Sequence, residues 1–109
     1  MTEQQIIKTL ATEVMRWKAD GIAYVKADNP EYMVGVQVAE WNPLQNIADA
    51  WQLVDKIGPF VYRKSPVENG DYYHVAKVFY QGYWYSEEGA TVQDAICRTV
   101  LKAYGLLAR

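Results

Sequence analysis

The sequence predicts an α+β protein in which an antiparallel sheet of three to five strands packs with three helices. Three stretches repeat apolar residues every three or four positions, which is the helical period, and the segments between them are rich in β-branched and aromatic residues. The predicted order is helix, β-hairpin, helix, three strands and helix. Because the last three strands follow one another without an intervening helix, antiparallel pairing is favoured.

The length and composition indicate one soluble domain spanning residues 1–109. Half of the residues are hydrophobic, and the net charge of −2 argues against a nucleic-acid partner, which normally requires a basic surface. The N-terminal sequence lacks the pattern of a signal peptide, and no apolar run approaches the roughly 20 residues that cross a bilayer. Cys97 is the only cysteine, which suits the reducing cytoplasm. We therefore expect a cytoplasmic protein without a membrane contact.

The first helix is predicted over residues 3–18. Thr2 and Gln5 have the spacing of a capping box, in which each side chain accepts a hydrogen bond from the other residue's backbone N–H. Gly21 follows and is expected to end the helix. The apolar residues of this segment share one helical face: Ile7, Leu10, Val14 and Trp17.

The segment after the first helix predicts a loose β-hairpin over residues 22–41. Its turn is expected at residues 28–31, because Pro30 fixes its own φ and favours an extended backbone at Asn29. Gly35 interrupts the second strand, which makes this hairpin less regular.

The second helix is predicted over residues 43–57. Asn42 is a favourable N-cap residue, and Pro43 follows at the first helical position, where its missing N–H costs nothing. Gly58 is expected to stop the helix, and the apolar stripe places Trp51 in the core.

The third helix is predicted over residues 92–104. Thr91 and Asp94 have capping-box spacing, and Gly105 is expected to end the helix. The apolar stripe is broad, which is typical of a largely buried helix, and it includes Ile96 and Cys97. Together with Trp17 and Trp51, Ile96 is predicted to be a core residue.

Strands are predicted at residues 60–63, 72–81 and 83–86, and the last two contain the aromatic sequence FYQGYWYS. If Gln81 and Gly82 form a two-residue turn, Tyr80 faces Tyr83 and Phe79 faces Trp84. Alternation then divides the side chains between two faces.

We predict that the face with Phe79 and Trp84 packs against the helices. The other face is rich in tyrosine, whose apolar ring and polar hydroxyl suit a half-hydrated contact surface. A protein partner or a second copy of the chain is expected there, on the candidate partner surface Tyr72, Tyr80, Tyr83 and Tyr85. The simpler alternative is that these aromatics only stabilise the strands. Stacking of nucleic-acid bases would need nearby cations, and Lys77 is the only one close in sequence.

The residues that could support catalysis are few. His74 is the only histidine and lies within a strand among tyrosines, where a structural role is the usual one. Cys97 lies inside a helix, whereas a reactive thiolate is favoured at a helix N-terminus. The sequence has no phosphate-binding glycine loop and no metal-ligand spacing of cysteine and histidine. We expect no catalytic residue, no cofactor and no metal.

Two stretches, WNPLQNIADAWQLVDKI at 41–57 and GATVQDAICRTVLKAYG at 89–105, resemble the phage ABA sandwich domain family. The similarity lies in the aromatic-Asn-Pro start, in the Ile-Ala-Asp-Ala-Trp core and in the Ala-Ile-Cys-Arg run. It implies a sheet sandwiched between helix layers, in a single ABA sandwich domain over 1–109. It also implies a small phage or prophage accessory protein in the cytoplasm of a bacterial host. Because these motifs mark helix boundaries and core positions, no functional residue is carried over.

The leading functional hypothesis is a non-enzymatic accessory protein that acts through protein contacts, with a partner or as a homo-oligomer. One alternative is a nucleic-acid-binding module, because the α-β-β-β-α order of the second half matches that of double-stranded RNA-binding domains. Its last helix would need a basic start, whereas this one begins TVQDAICR. The other alternative is a small enzyme that uses His74.

Overall fold

A computed structural model describes residues 2–20, 23–26, 36–37, 41–66 and 72–106, with side chains placed outside residues 18–40. The chain divides into two compact units, Met1–Asn42 and Pro43–Arg109. A three-stranded antiparallel sheet lies in each unit. Helices and antiparallel sheets together confirm the predicted α+β class, whereas the single domain over 1–109 stays a prediction.

The first unit begins with helix α1, Glu3–Thr9. The predicted capping box is confirmed, because the Gln5 backbone N donates to Thr2 Oγ1 over 3.2 Å and the Thr2 backbone N donates to Gln5 Oε1 over 2.8 Å. These two bonds satisfy N–H groups that have no partner within the helix.

Helix α1 ends earlier than predicted. It continues into one π-helical turn, Leu10–Val14, closed by a 3.0 Å hydrogen bond from the Met15 N to the Leu10 O. Arg16 then adopts a left-handed backbone with φ of 61°, which turns the chain out of the helix. The predicted end at residue 18 is wrong, because Trp17 already belongs to a strand.

The sheet of the first unit has the order β1-β2-β3. Its strands are β1, Trp17–Asp20, β2, Ala23–Lys26, and β3, Val36–Gln37. Strands β2 and β3 pair antiparallel, which confirms the predicted hairpin, and β1 is an additional strand that the sequence did not predict. The predicted turn at 28–31 and Gly21 lie outside the described residues.

Two tryptophans meet in the core of the first unit. The rings of Trp17 and Trp41 make an edge-to-face contact with their centroids 5.0 Å apart, and both side chains are buried. This confirms the prediction that Trp17 is a core residue. The other buried apolar residues described in this unit lie on the first helical segment: Ile7, Leu10, Ala11 and Val14.

The second unit contains two helices and a sheet of order β4-β5-β6. In chain order its elements are α2, Ile47–Ile57, β4, Phe60–Pro66, β5, Tyr72–Tyr80, β6, Tyr83–Gly89, and α3, Val92–Ala103. Strand β5 is central and pairs antiparallel with both neighbours. The succession of three antiparallel strands followed by a helix is as predicted.

Helix α2 begins four residues later than predicted. Asn46, not Asn42, is the N-cap, and its Oδ1 accepts from the backbone N of Ala48 over 2.9 Å. Residues 43–45 form a turn instead of the first helical turn. Both asparagines carry suitable side chains, so composition alone did not distinguish them.

The prediction that Trp51 lies in the core is wrong. Helix α2 turns Ala50 and Leu53 inward, and both are fully buried. Trp51 lies at the edge of this buried stripe, 43% exposed, with its ring 5.4 Å from the Phe60 ring.

Helix α3 begins at the predicted residue, Val92, and ends at Ala103, one residue before the predicted end. The Thr91 Oγ1 accepts from the Asp94 backbone N over 3.0 Å, while the Asp94 carboxylate accepts from Ala90 N instead of Thr91 N. At its end, Gly105 N donates to Lys102 O and Leu106 N donates to Leu101 O, which is a Schellman motif. The buried residues include Ile96, as predicted: Ala95, Ile96, Cys97, Thr99, Val100, Leu101 and Ala103.

Candidate functional site

The aromatic hairpin forms around the predicted two-residue turn. Gln81 and Gly82 have φ values of 51° and 90°, which are typical of a type I′ turn and match the twist of the strands. Tyr80 pairs with Tyr83, and Phe79 pairs with Trp84. The predicted register is therefore confirmed.

Helix α3 covers the face of the sheet that we predicted to be the half-hydrated one. The Thr99 Oγ1 donates to the Ala76 O over 3.0 Å, and Ala76 and Val78 are fully buried. On the same face, the Tyr80 ring stacks on the ring of Tyr104, with centroids 4.4 Å apart. We call this side of the sheet the helix-covered face, and the other side the open face.

The prediction that Phe79 and Trp84 pack against the helices is thus wrong. That prediction weighted the hydrophobicity of the large rings, whereas the helix packs where the strands carry small side chains. Ala76 and Gly89 allow α3 to approach the sheet. A Cβ atom on Gly89 would lie 2.5 Å from the Ala95 backbone N, so the two backbones are in direct contact.

The four tyrosines of the predicted partner surface lie on the helix-covered face. Tyr72 and Tyr83 are 52% and 69% exposed, and the Lys64 Nζ lies 4.2 Å from the centre of the Tyr72 ring. Tyr80 and Tyr85 are half-buried. Tyr72 and Tyr80 stand at opposite ends of β5, about 27 Å apart at the usual rise of a strand. The partner surface made of these four residues stays a prediction.

The open face carries apolar and charged side chains in ordered rows. Val61 and Trp84 are 48% and 52% exposed, and Phe79 is half-buried with its ring centroid 5.3 Å from that of Trp84. The register sets the rows across β4, β5 and β6: Arg63, Val75 and Glu88 in one, and Val61, Lys77 and Ser86 in the next. Of these, Arg63, Lys77 and Glu88 are exposed and Val75 is buried.

His74 lies on the helix-covered face beside Tyr62. The Tyr62 hydroxyl oxygen and His74 Nδ1 are 2.6 Å apart, within hydrogen-bond distance, and the two rings stack with centroids 5.7 Å apart. In the sheet, Lys64 and Gly89 pair with His74 on its two sides. This arrangement gives the histidine a structural partner.

Cys97 is fully buried in helix α3. Burial, and secondly the negative charge of Asp94, raise the pKa of its thiol far above the ordinary range. The thiol therefore stays protonated and shielded, which is the opposite of an activated nucleophile. Within the described residues, no group of three or more histidine, cysteine, aspartate or glutamate side chains could hold a metal.

Sequence reasoning missed two features of this unit. The first is the contact of Gly89 with α3, for which the only signal in the sequence is a glycine shortly before the helix cap. The row formed by Arg63, Val75 and Glu88 depends on the pairing of β4 with β5, because these residues are far apart in sequence. None of the helices in the described ranges is long and apolar enough to cross a membrane.

Comparison with known proteins identifies the family. The model of the phage ABA sandwich domain matches residues 8–101. The chain belongs to the phage ABA sandwich domain family. The resemblance seen in the sequence is confirmed by this match, and the helices and antiparallel sheet agree with the family's name.

A solved structure has a fold similar to that of this chain. It is a phage protein from Bacillus cereus ATCC 14579, determined by crystallography at 2.0 Å. Its TM-score is 0.69 and its sequence identity 21%, over 100% of this chain and 93% of that one. No curated protein matches the sequence. At this sequence identity, the similarity between the two proteins shows a shared fold only.

Proposed function

We propose that this phage ABA sandwich protein acts by binding another polypeptide through its open face, without catalysing a reaction. The observation that carries the proposal is the exposure of Val61 and Trp84, 48% and 52%, on the face that also holds Phe79. Large apolar side chains that stay together in water on one face are typical of contact surfaces. Tryptophan is also among the residues that contribute most to protein interfaces.

The free energy available at Trp84 is substantial. A tryptophan buries about 150–250 Å² in a core, and about half of that surface is still in contact with water here. At about 25 cal/mol per Å², completing its burial against a partner contributes about 2–3 kcal/mol. Arg63 and Glu88, on the two edge strands, are exposed and supply a polar rim of the kind that interfaces usually have.

The tyrosine surface is a second candidate for the same function, because Tyr83 is 69% exposed. Tyr83 and Trp84 are adjacent in β6 and point to opposite faces of the sheet. A probe at one position or the other therefore distinguishes the open face from the helix-covered face.

Site-specific photo-crosslinking tests the proposal. Benzoylphenylalanine replaces Trp84, Tyr83 or, as a control, the exposed Asp55 of α2, and cells producing each variant are irradiated during phage growth. We expect Trp84 to crosslink to a polypeptide and Asp55 to give none. Crosslinking only at Tyr83 would move the contact to the tyrosine surface. Absence of polypeptide crosslinks at both positions would contradict binding through this sheet.

A further inference from the structure

The charges on the open face are arranged with opposite signs at its two edges. Arg63 on β4 and Glu88 on β6 lie in one row on either side of Val75. With strands about 4.8 Å apart, the two backbones are separated by about 10 Å. Both side chains are exposed, and neither forms an ion pair with another described residue.

We infer that the occupant of the open face is a second copy of this chain, packed face to face with the first. The two copies are related by a two-fold axis that runs parallel to β5, between the two open faces. The inference rests on the proposed function and names its partner. A rotation of 180° about that axis places β4 of each copy over β6 of the other and keeps every row in place. Arg63 of each copy then lies over Glu88 of the other, giving two equivalent ion pairs.

The charge pattern favours this axis over one that runs across the strands along the same row. A two-fold axis perpendicular to the strands would place β4 of one copy over β4 of the other. If that axis ran along the row of Arg63, each Arg63 would meet the Arg63 of the other copy. That arrangement would bring together two like-charged pairs, Arg63 with Arg63 and Glu88 with Glu88, and would form no opposite-charge pair in this row. The axis along β5 is therefore the one for which the row is self-complementary.

The remaining residues of the open face are compatible with this packing. Phe79 lies on β5, so it meets its own copy across the axis, while Trp84, whose row contains no β4 residue, lies over Pro59, which precedes β4 of the second copy. Lys77 also lies near the axis and forms one like-charged pair with its own copy, against two opposite-charge pairs of Arg63 with Glu88; its long flexible stem can carry the ammonium group toward the rim. Two sheets that pack in this way keep their strands within about 30° of each other.

The size of the open face sets the expected affinity. Three strands are about 14 Å wide, and seven residues of strand extend over about 24 Å. Such a face measures about 340 Å² per copy, below the roughly 1,200 Å² in total at which stable interfaces begin, so we expect a weak, reversible dimer with a dissociation constant in the upper micromolar range.

Analytical ultracentrifugation of the purified full-length chain, 12.5 kDa as a monomer, measures this equilibrium. Over about 1–500 µM we expect a shift from monomer to dimer. Arg63→Glu and Glu88→Arg should each weaken self-association at least about tenfold, because both interchain pairs become repulsive. Circular dichroism checks that each variant is folded.

Mixing the two single variants is the decisive step. In a mixed dimer, Glu at position 63 of one chain faces Arg at position 88 of the other, and Glu88 of the first faces Arg63 of the second. The mixture should therefore form a heterodimer although each variant alone is monomeric. Lys56→Glu and Asp55→Arg, both on exposed positions of α2, carry the same charge changes and should dimerise like the wild type.

Three results would overturn the inference: a wild-type chain that stays monomeric throughout, single variants that dimerise as well as the wild type, or a mixture that does not associate. A monomeric wild type whose position 84 crosslinks to a different protein in cells would leave the proposed function standing. A monomer without crosslinks would remove both.

Discussion

The hydroxyl of Thr99 joins helix α3 to the central strand of its sheet. Its Oγ1 lies 3.0 Å from the carbonyl oxygen of Ala76 and 2.7 Å from that of Ala95, one turn earlier in the helix. Thr99 is fully buried, among apolar neighbours on the same helix. The bond to Ala76 is a tertiary contact in a water-free setting, where a polar group needs a partner.

Replacing Thr99 by Val should lower the free energy of unfolding by about 1 kcal/mol. Valine keeps nearly the same shape, so the loss reports the hydrogen bond more than the packing. Urea denaturation measures the change. Thr12→Val is the matched control, because the Thr12 hydroxyl donates only to Lys8 O on its own helix, over 2.8 Å, and Thr12 is half-exposed. An equal loss in both variants would contradict a tertiary role for Thr99.

Replacing Gly89 by Ala should destabilise the protein by about 1–3 kcal/mol, because overpacking forces a backbone shift. The new Cβ would lie 2.5 Å from Ala95 N and 2.9 Å from Ala95 Cα, and neither backbone atom can rotate away. Thermal unfolding followed by circular dichroism measures the change. Ala95→Gly in the same background should not restore stability, since it leaves that backbone in place. An unchanged melting temperature in Gly89→Ala would contradict the close contact.

The thiol of Cys97 should react with Ellman's reagent only after unfolding. Its full burial keeps the reagent out, and its raised pKa keeps it protonated. Absorbance measured with and without denaturant gives the two rates. Rapid modification of the native protein would show that α3 is more accessible than the structure indicates. Cys97→Ala should be modestly less stable and should retain self-association.

Stability should decline in alkaline solution, partly through Cys97. The pKa of an unfolded thiol is about 8.5, and burial raises the pKa in the folded protein, so the unfolded chain loses its proton first. Between about pH 7.5 and 9.5 the wild type should lose about 1 kcal/mol more than Cys97→Ala. Denaturation of both proteins at the two pH values measures this difference. Parallel pH profiles would argue against the raised pKa.

Duplex DNA and RNA should not bind at physiological salt. The net charge is −2, and on the open face Glu88 accompanies Arg63 and Lys77. Affinity for duplexes comes mainly from neutralising phosphates with clustered basic residues. A gel-shift titration with micromolar protein is the measurement. A salt-sensitive shift would instead favour the nucleic-acid-binding alternative.

Local sequence signals predicted the features that depend on a few neighbouring residues. The caps at Thr2 and Thr91 and the turn at Gln81 and Gly82 are where they were expected. Each is set by hydrogen bonds or φ preferences within four residues, so no distant contact is needed to form it. The register of the aromatic hairpin follows from its turn for the same reason.

The sequence by itself therefore determined the family, the α+β class, the caps of α1 and α3 and the pairing of β5 with β6. Only the tertiary structure decided which face α3 covers, because that choice depends on the small volumes at Ala76 and Gly89 matching the helix surface. It also decided that Arg63 and Glu88 share a row, since strand pairing across a loop brings together residues that are distant in the chain. Packing and strand pairing are non-local, and for that reason the open face could not be recognised from the sequence.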